Sequence, residues 1–252
     1  MEQLTGKDRL IVALDVPTVD EALQAVDRLD NVSFYKIGLQ LFMTGGLLTL
    51  LQRLRGTSRV FVDLKVPGDI ANTIKAVIDM CAEHDVAFLT LSESMPLRSI
   101  AAATAARAAR HSDGPKLLTV PFLSSLDAGD LPGVPGDEQD LESYILGKAH
   151  RAIEAGCDGV IASGQAIQIC RQAFARPTLI VSPGIRPAGA STDDHKRHTT
   201  PGQAIHLGAD YLVVGRPILK DPDPREAARR VIAEIDDALE AAGTANRSTA
   251  SP

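Results

Sequence analysis

The chain has 252 residues, of which 44% are hydrophobic and 23% are charged, and its formal net charge is −6. This length can bury one large core, and the acidic balance argues against a general nucleic-acid binder, which usually carries a basic face. An uncharged apolar run of roughly 18 residues is absent and the N-terminus lacks the build of a signal peptide, so we expect a cytoplasmic protein that does not engage a membrane.

Apolar strand-like runs alternate with amphipathic helical patterns along the chain. Residues 19–29, for example, have apolar positions three and four apart, and Thr18 is placed to cap that helix. Repeated strand–helix units favour a closed parallel barrel, a single (β/α)8 TIM barrel, over residues 1–242. An open doubly wound sheet is the alternative, but its G-x-G-x-x-G fingerprint after the first strand is absent. The predicted strands are residues 10–16, 34–38, 60–66, 87–92, 116–123, 159–163, 178–183 and 211–215.

Two segments do not follow this alternation. Residues 124–141 are rich in Gly, Pro and Asp and predict a long loop after the fifth strand. Residues 243–252 are mostly small and polar, cannot bury enough surface to order themselves, and predict a short disordered tail.

Charged residues stand at the ends of the first three predicted strands. Asp15 ends the first, Lys36 lies in the second, and Asp63 and Lys65 share one side of the third because strand side chains alternate faces. Burial of an unpaired charge in such a segment would cost much free energy, so these residues indicate a functional site. Because parallel barrels build their sites at the carboxyl ends of the strands, we predict an array of alternating sign there. Ordinary strand-end salt bridges are the alternative interpretation.

Glycine and arginine recur after the seventh and eighth predicted strands. The seventh is followed by Ser182-Pro183-Gly184-Ile185-Arg186-Pro187, and the eighth leads into Gly215-Arg216-Pro217. These two loops are the usual phosphate site of such barrels, and each arginine offers a bidentate donor. We therefore predict a phosphate site at Arg186, Gly215 and Arg216, with the polar segment 188–201 as a lid.

The order of these motifs resembles the orotidine 5'-phosphate decarboxylases over roughly residues 9–230. The resemblance rests on Asp63-Leu64-Lys65 followed by Gly68-Asp69-Ile70-Ala71-Asn72-Thr73, on the charged strand ends and on the two arginine loops. It implies decarboxylation of orotidine 5'-monophosphate (OMP) to uridine 5'-monophosphate (UMP) in pyrimidine biosynthesis, with no cofactor and no metal. In that chemistry a lysine stabilises the carbanion and then protonates it, while aspartates keep the lysine charged.

The resemblance also implies roles for individual residues. Lys65, Asp63 and Asp69 would be catalytic, Asp15 and Lys36 would bind substrate, and the enzyme would be a homodimer in which Asp69 and Thr73 reach the neighbouring site. The family motif reads Asp-x-Lys-x-x-Asp, whereas this chain has one more residue between Lys65 and Asp69. A bulge or tight turn at Pro67 and Gly68 could absorb it. A plain helix N-cap is the alternative for Asp69.

Three further substrate contacts are implied by the resemblance. Ser124 and Ser125 stand where the family has a threonine–serine pair on the pyrimidine, and His195 stands where it commonly has a glutamine bridging the phosphate and the base. Hydroxyls and imidazole can make such bonds. Capping of the following segment, for the serines, and an exposed loop position, for the histidine, are the alternatives.

Two rival functions remain at this stage. The 3-keto-gulonate 6-phosphate decarboxylases and hexulose phosphate synthases resemble this chain in fold and motif, but they use magnesium and an additional acidic ligand, for which Glu93 is a candidate. A barrel that binds nucleoside monophosphates without catalysis is the other, if the extra residue displaces Asp69.

Overall fold

The chain folds into a closed barrel of eight parallel strands in sequential order, with β8 hydrogen-bonded to β1. The structure is a computed structural model and describes residues 4–67, 71–92, 94–110, 114–122, 138–187 and 199–248. The closed order of the eight strands confirms the predicted (β/α)8 barrel. The strands are β1 (Leu10–Ala13), β2 (Phe34–Gly38), β3 (Arg59–Val66), β4 (Val86–Leu91), β5 (Lys116–Thr119), β6 (Gly159–Ile161), β7 (Leu179–Ser182) and β8 (Tyr211–Val214).

Helices cover the outside of the barrel. Thr18 caps one of them as expected, because its Oγ1 accepts a hydrogen bond from the backbone N–H of Glu21 at 3.2 Å. Among the described helices, none combines the length and apolarity that a membrane span needs. The helices are α1 (Gly6–Arg9), α2 (Val19–Arg28), α3 (Leu39–Met43), α4 (Leu47–Leu54), α5 (Ala71–Glu83), α6 (Leu97–Ala108), α7 (Glu138–Glu154), α8 (Ala166–Ala173), α9 (Pro201–His206), α10 (Arg216–Leu219) and α11 (Pro224–Ser248).

Several boundaries differ from the predicted ones. Strand β5 ends at Thr119 rather than at residue 123, since Pro121 has no N–H to donate to a ladder. The last four residues of the predicted loop 124–141 belong to α7, and the rest of that loop lies outside the described residues. Helix α11 continues past residue 242, where the predicted tail begins, to Ser248, and residues 249–252 lie outside the described residues.

The barrel interior is filled by side chains, which is why it forms a core and not a pore. Phe88 makes edge-on contacts with Phe34 and Tyr211, at centroid distances of 5.1 and 5.0 Å. The Arg59 guanidinium lies 4.1 Å from the centroid of Phe34. Because Arg59 begins β3, this packing fills the amino-terminal end of the barrel. These side chains leave the carboxyl end of the barrel available for a functional site.

Candidate active site

A cavity of about 370 Å³ opens at the carboxyl ends of the strands. Such a volume suits a small-molecule ligand. Ala13, Phe61 and Val213, which also belong to the interior core, form an apolar part of its wall. The charged side chains that line it are Asp15, Lys36, Asp63, Lys65, Arg186, Arg216 and Lys220.

The four charged residues at the ends of β1, β2 and β3 form one connected array. Lys36 Nζ lies 3.0 Å from Asp15 Oδ1 and 3.4 Å from Asp63 Oδ2. On the other side of the same carboxylate, Lys65 Nζ lies 2.9 Å from Asp63 Oδ1. The structure thus brings together the predicted sequence of alternating charges, with Asp63 between two ammonium groups.

Burial and charge act in opposite directions on the middle of this array. Burial by itself would lower the pKa of Lys36, but attraction to Asp63 and Asp15 outweighs it, so the pKa is raised. Burial would likewise raise the pKa of Asp63, but Lys36 and Lys65 outweigh it and the pKa is lowered. Both groups are therefore held in their charged forms at neutral pH.

Strand β3 carries a bulge at its functional end. Val62 pairs with Leu89 and Val66 pairs with Leu91, so three residues of β3 stand opposite one residue of β4, Thr90. Within the bulge, Lys65 adopts a left-handed backbone with φ of 49°. This conformation costs a non-glycine residue roughly 1 to 3 kcal/mol and is concentrated at functional sites. It directs a half-exposed lysine side chain to the cavity.

Thr90 ties the two ends of the bulge together. Its Oγ1 donates a hydrogen bond to Asp63 Oδ1 at 2.9 Å and accepts one from the backbone N–H of Lys65 at 3.0 Å. The threonine is fully buried.

The part of the cavity wall that follows β7 and β8 is basic. Arg186 follows β7 and is only 7% exposed, and Arg216 follows Gly215 after β8. Gly184, with φ of 75°, makes the turn that leads from β7 to Arg186. The two predicted arginines thus face the same cavity as the charged array, together with Lys220 at the end of α10.

The remaining predicted site residues are not among the described residues that line this cavity. Thr73 lies exposed in the first turn of α5, away from the cavity lining. Asp69, Ser124, Ser125 and His195 lie outside the described residues, and so does Glu93, the candidate acidic ligand. Within the described part of the chain, no group of three or more His, Cys, Asp or Glu side chains is placed to hold a metal ion.

Sequence reasoning missed several residues of the site. Lys220 follows Arg216 by one helical turn, a spacing that could have marked it as a second cation on the same loop. Gly38 was visible only as a strand end, although a Cβ on it would lie 3.0 Å from Asp15 Oδ1. Thr90 sits in an ordinary apolar strand pattern, and no local signal distinguishes it.

Comparison with known proteins supplies the family. The family model described as "Orotidine 5'-phosphate decarboxylase / HUMPS family" matches residues 8–231. Orotidine 5'-phosphate decarboxylase of Methylococcus capsulatus is 43% identical, with 93% of this chain and 94% of the relative covered. The enzyme of the same name from Ruegeria pomeroyi is 45% identical over 92% and 95%. The crystal structure of orotidine 5'-phosphate decarboxylase from Lactobacillus acidophilus superposes with a TM-score of 0.74 at 29% identity, covering 90% of this chain and 98% of that one. With such matches over nearly its whole length, this chain belongs to the orotidine 5'-phosphate decarboxylase / HUMPS family.

Proposed function

We propose that this protein is a carboxy-lyase that converts OMP to UMP in pyrimidine biosynthesis without a cofactor. The observation that carries the proposal is the array in which Lys65 Nζ lies 2.9 Å from Asp63 Oδ1, in a cavity that is also lined by two arginines. The array suits a reacting carbanion, and the arginines suit a phosphate. Relatives named as OMP decarboxylases at 43% and 45% identity support the same activity.

Lys65 carries the chemical step in this proposal. The bond between carbon 6 of the pyrimidine and its carboxylate breaks, carbon dioxide leaves, and the electron pair stays on carbon 6. The Lys65 ammonium stabilises that pair and then gives it a proton, after which solvent reprotonates the amine. At 4 Å a unit charge pair is worth about 4 kcal/mol at an effective dielectric of 20, against about 1 kcal/mol in water, so exclusion of water strengthens the effect.

Asp63 and Lys36 position the Lys65 ammonium for this step. Asp63 Oδ1 pairs with the Lys65 ammonium at 2.9 Å, and Lys36 compensates Asp63 from the other side at 3.4 Å. Asp15, whose side chain is half exposed, and Lys36 are assigned to the ribose of the substrate. Asp69 is assigned to the catalytic group as a second aspartate, which reaches the Lys65 side chain of the neighbouring subunit.

The basic side of the cavity is assigned to the phosphate. Arg186 and Arg216 can each present two parallel N–H donors to phosphate oxygens, and Gly215 lets the backbone approach. The predicted contacts of Ser124, Ser125 and His195 complete the base and lid ends of the proposed site.

We also propose that the enzyme is a homodimer in the cytoplasm, where its phosphorylated substrate is retained. Apolar side chains are exposed on α3 and α4, beside the carboxyl ends of β2 and β3: Phe42 is 44% exposed, Met43 72% and Leu48 51%. Exposed apolar groups clustered beside a site are typical of a protein interface. In the proposed dimer, Asp69 and Thr73 reach the neighbouring subunit's site.

Mixing two inactive variants tests this sharing of residues. Lys65→Ala and Asp69→Ala are each expected to be inactive, yet a mixed dimer holds one site with both native residues. After exchange of subunits, random pairing should restore about a quarter of the unmodified activity. Two active single variants, or no restoration in a demonstrated mixed dimer, would contradict the proposal.

The activity itself is tested by the ultraviolet absorbance change of OMP with purified protein in a metal chelator, beside Lys65→Ala. We expect rapid conversion that the substitution abolishes. Lys116→Ala is the control. Lys116 is an exposed lysine at the start of β5, at the end of the barrel away from the cavity, and it pairs with Asp158 at 3.5 Å.

A second candidate function follows from the family model, which covers the HUMPS proteins as well. Magnesium-dependent conversion of a phosphosugar, with no OMP turnover, would favour that class. Binding of UMP without turnover of either substrate would instead indicate a non-catalytic barrel in which the extra residue after Lys65 has displaced Asp69.

A further inference from the structure

Thr90 contacts both functional residues of β3 without facing the cavity they line. Its Oγ1 is 2.9 Å from Asp63 Oδ1 and 3.0 Å from the backbone nitrogen of Lys65. The residue is fully buried, and it is absent from the cavity wall. A group in this place cannot touch the substrate, so any effect it has must pass through Asp63 and Lys65.

The bulge explains why a hydroxyl is needed there. Three residues of β3 stand opposite Thr90, and the regular ladder between β3 and β4 is interrupted from Val62 to Val66. The backbone N–H of Lys65 would be left without a partner by this interruption. A hydroxyl can accept that N–H and donate its own hydrogen to the Asp63 carboxylate at the same time.

We propose that Thr90 is a positioning residue for the decarboxylation, holding the Asp63 carboxylate and the left-handed backbone of Lys65 in one fixed arrangement. The inference rests on the proposed function. Lys65 itself cannot supply this order, because its side chain is 41% exposed and long. Thr90, by contrast, is short, β-branched and packed, so its hydroxyl has few alternative positions.

The Thr90 bond also persists through the reaction. When Lys65 gives its proton to carbon 6, the amine becomes neutral and its attraction for Asp63 weakens. Asp63 then keeps Lys36 at 3.4 Å and the Thr90 hydroxyl at 2.9 Å, so the carboxylate stays ionised and in place until Lys65 is reprotonated. The hydroxyl is the neutral donor that does not change through this cycle.

The test compares Thr90→Val, which keeps the shape and removes the hydroxyl, with Thr90→Ser, which keeps the hydroxyl. We expect Thr90→Val to lower kcat at least about tenfold with little change in KM, since a small misplacement of a reacting group is costly. Thr90→Ser should stay within about threefold of the unmodified protein. The acidic limb of the pH profile should move to higher pH in Thr90→Val, because the lost bond helps to lower the pKa of Asp63.

Thr104→Val is the matched control. The Thr104 hydroxyl donates to the backbone oxygens of Ile100 at 3.0 Å and Ala155 at 3.2 Å, on helix α6 away from the cavity. This change should cost stability without moving kcat or the pH profile. Unchanged kcat in a folded Thr90→Val, or a loss in Thr90→Ser as large as in Thr90→Val, would overturn the inference.

If Thr90→Val does not fold, Thr90→Cys decides, since a thiol is a weak donor and acceptor. An intermediate kcat with an intermediate shift of the pH profile would support positioning, and a kcat equal to that of the unmodified protein would overturn it. The unmodified protein tests the proposed function separately from the role of Thr90. If it does not convert OMP, the proposed function is refuted. If it converts OMP and removal of the Thr90 hydroxyl leaves the rate unchanged, only the role of Thr90 is refuted.

Discussion

Gly38 approaches Asp15 so closely that a Cβ atom built on the glycine would lie 3.0 Å from Oδ1 of the aspartate. The same Cβ would lie 3.2 Å from Nζ of Lys36. Both distances are shorter than ordinary van der Waals contact. The absence of a side chain at the end of β2 therefore leaves room for the Asp15–Lys36 ion pair.

Gly38→Ala is predicted to separate this ion pair. Because Asp15 and Lys36 are assigned to substrate binding, we expect kcat/KM for OMP to fall roughly threefold to tenfold, a loss of about 1 kcal/mol in transition-state binding. Gly147→Ala is the control, since a Cβ at that glycine of α7 meets nothing within 4 Å and should add helix stability. Equal kcat/KM in both variants would show that the contact at Gly38 has no functional weight.

The left-handed backbone of Lys65 predicts a conflict between stability and activity. Both Lys65→Gly and Lys65→Ala should be inactive, but glycine adopts φ of 49° without strain. We expect Lys65→Gly to have a free energy of unfolding about 0.5 to 1 kcal/mol higher than Lys65→Ala, measured by urea denaturation. At Leu64, which has no positive φ, the order of the Gly and Ala variants should reverse. An alanine variant at Lys65 that is the more stable of the two would refute the strain argument.

The pKa shifts of Asp63 and Lys36 predict opposite pH limits for the stability of the array. The pKa of Asp63 is lowered from 3.8, so its contribution is present above that pH and is lost as pH falls through the folded pKa. The pKa of Lys36 is raised from 10.5, so its contribution is present below that pH and is lost as pH rises through the folded pKa. Between these limits the contribution of the array should not change with pH.

Urea denaturation across acid pH measures this effect for Asp63. The difference in free energy of unfolding between the unmodified protein and Asp63→Asn should be constant near neutral pH and should shrink below about pH 3.8. Asp237→Asn, at an exposed position of α11, is the control for the general effect of replacing a carboxylate by an amide. A difference that grows with acidity would mean that the carboxylate is not stabilised by its neighbours.

The sequence predicted those features that depend on local pattern. Apolar runs separated by helical patterns predicted all eight strands. The alternation of side chains between the two faces of a strand predicted that Asp63 and Lys65 share a side. The sequence suggested a bulge or tight turn only at Pro67 and Gly68. The bulge opposite Thr90 was not predicted, because it depends on how β3 and β4 pair, and their partners are more than twenty residues apart. Thr90 was not predicted for the same reason, because its hydroxyl acquires two hydrogen-bond partners only through the register between β3 and β4.

Strand and helix ends were predicted less well. Apolar residues continue beyond β1 and β5, but the chain leaves the ladder at Ala13 and Thr119, ahead of Pro17 and Pro121. The last helix continues past residue 242 to Ser248, although the small and polar residues there predict a tail. The roles of Asp69, Ser124, Ser125 and His195 stay predictions.

Lys220 gives the last prediction, because it completes a charge balance in the cavity. The charged side chains that line the cavity sum to a positive charge: two are acidic, Asp15 and Asp63, and five are basic, Lys36, Lys65, Arg186, Arg216 and Lys220. OMP carries about two negative charges on its phosphate and one on its carboxylate. The neighbouring acid does not compensate Lys220, since Asp221 Oδ2 lies 2.8 Å from Arg230 Nη2.

We expect Lys220→Ala to raise KM for OMP roughly threefold to tenfold with little change in kcat, because an exposed cation attracts an anionic ligand without entering the reaction. The effect should shrink between low salt and about 0.5 M salt, as screening shortens the range of the charge to a few ångströms. Orotidine, which lacks the phosphate, should be affected much less. Lys7→Ala removes the same charge from α1, at the opposite end of the barrel, and should leave KM unchanged. A KM that is the same in both variants at low salt would show that Lys220 contributes nothing to substrate capture, and the phosphate would then depend on Arg186 and Arg216 alone among the cations that line the described cavity.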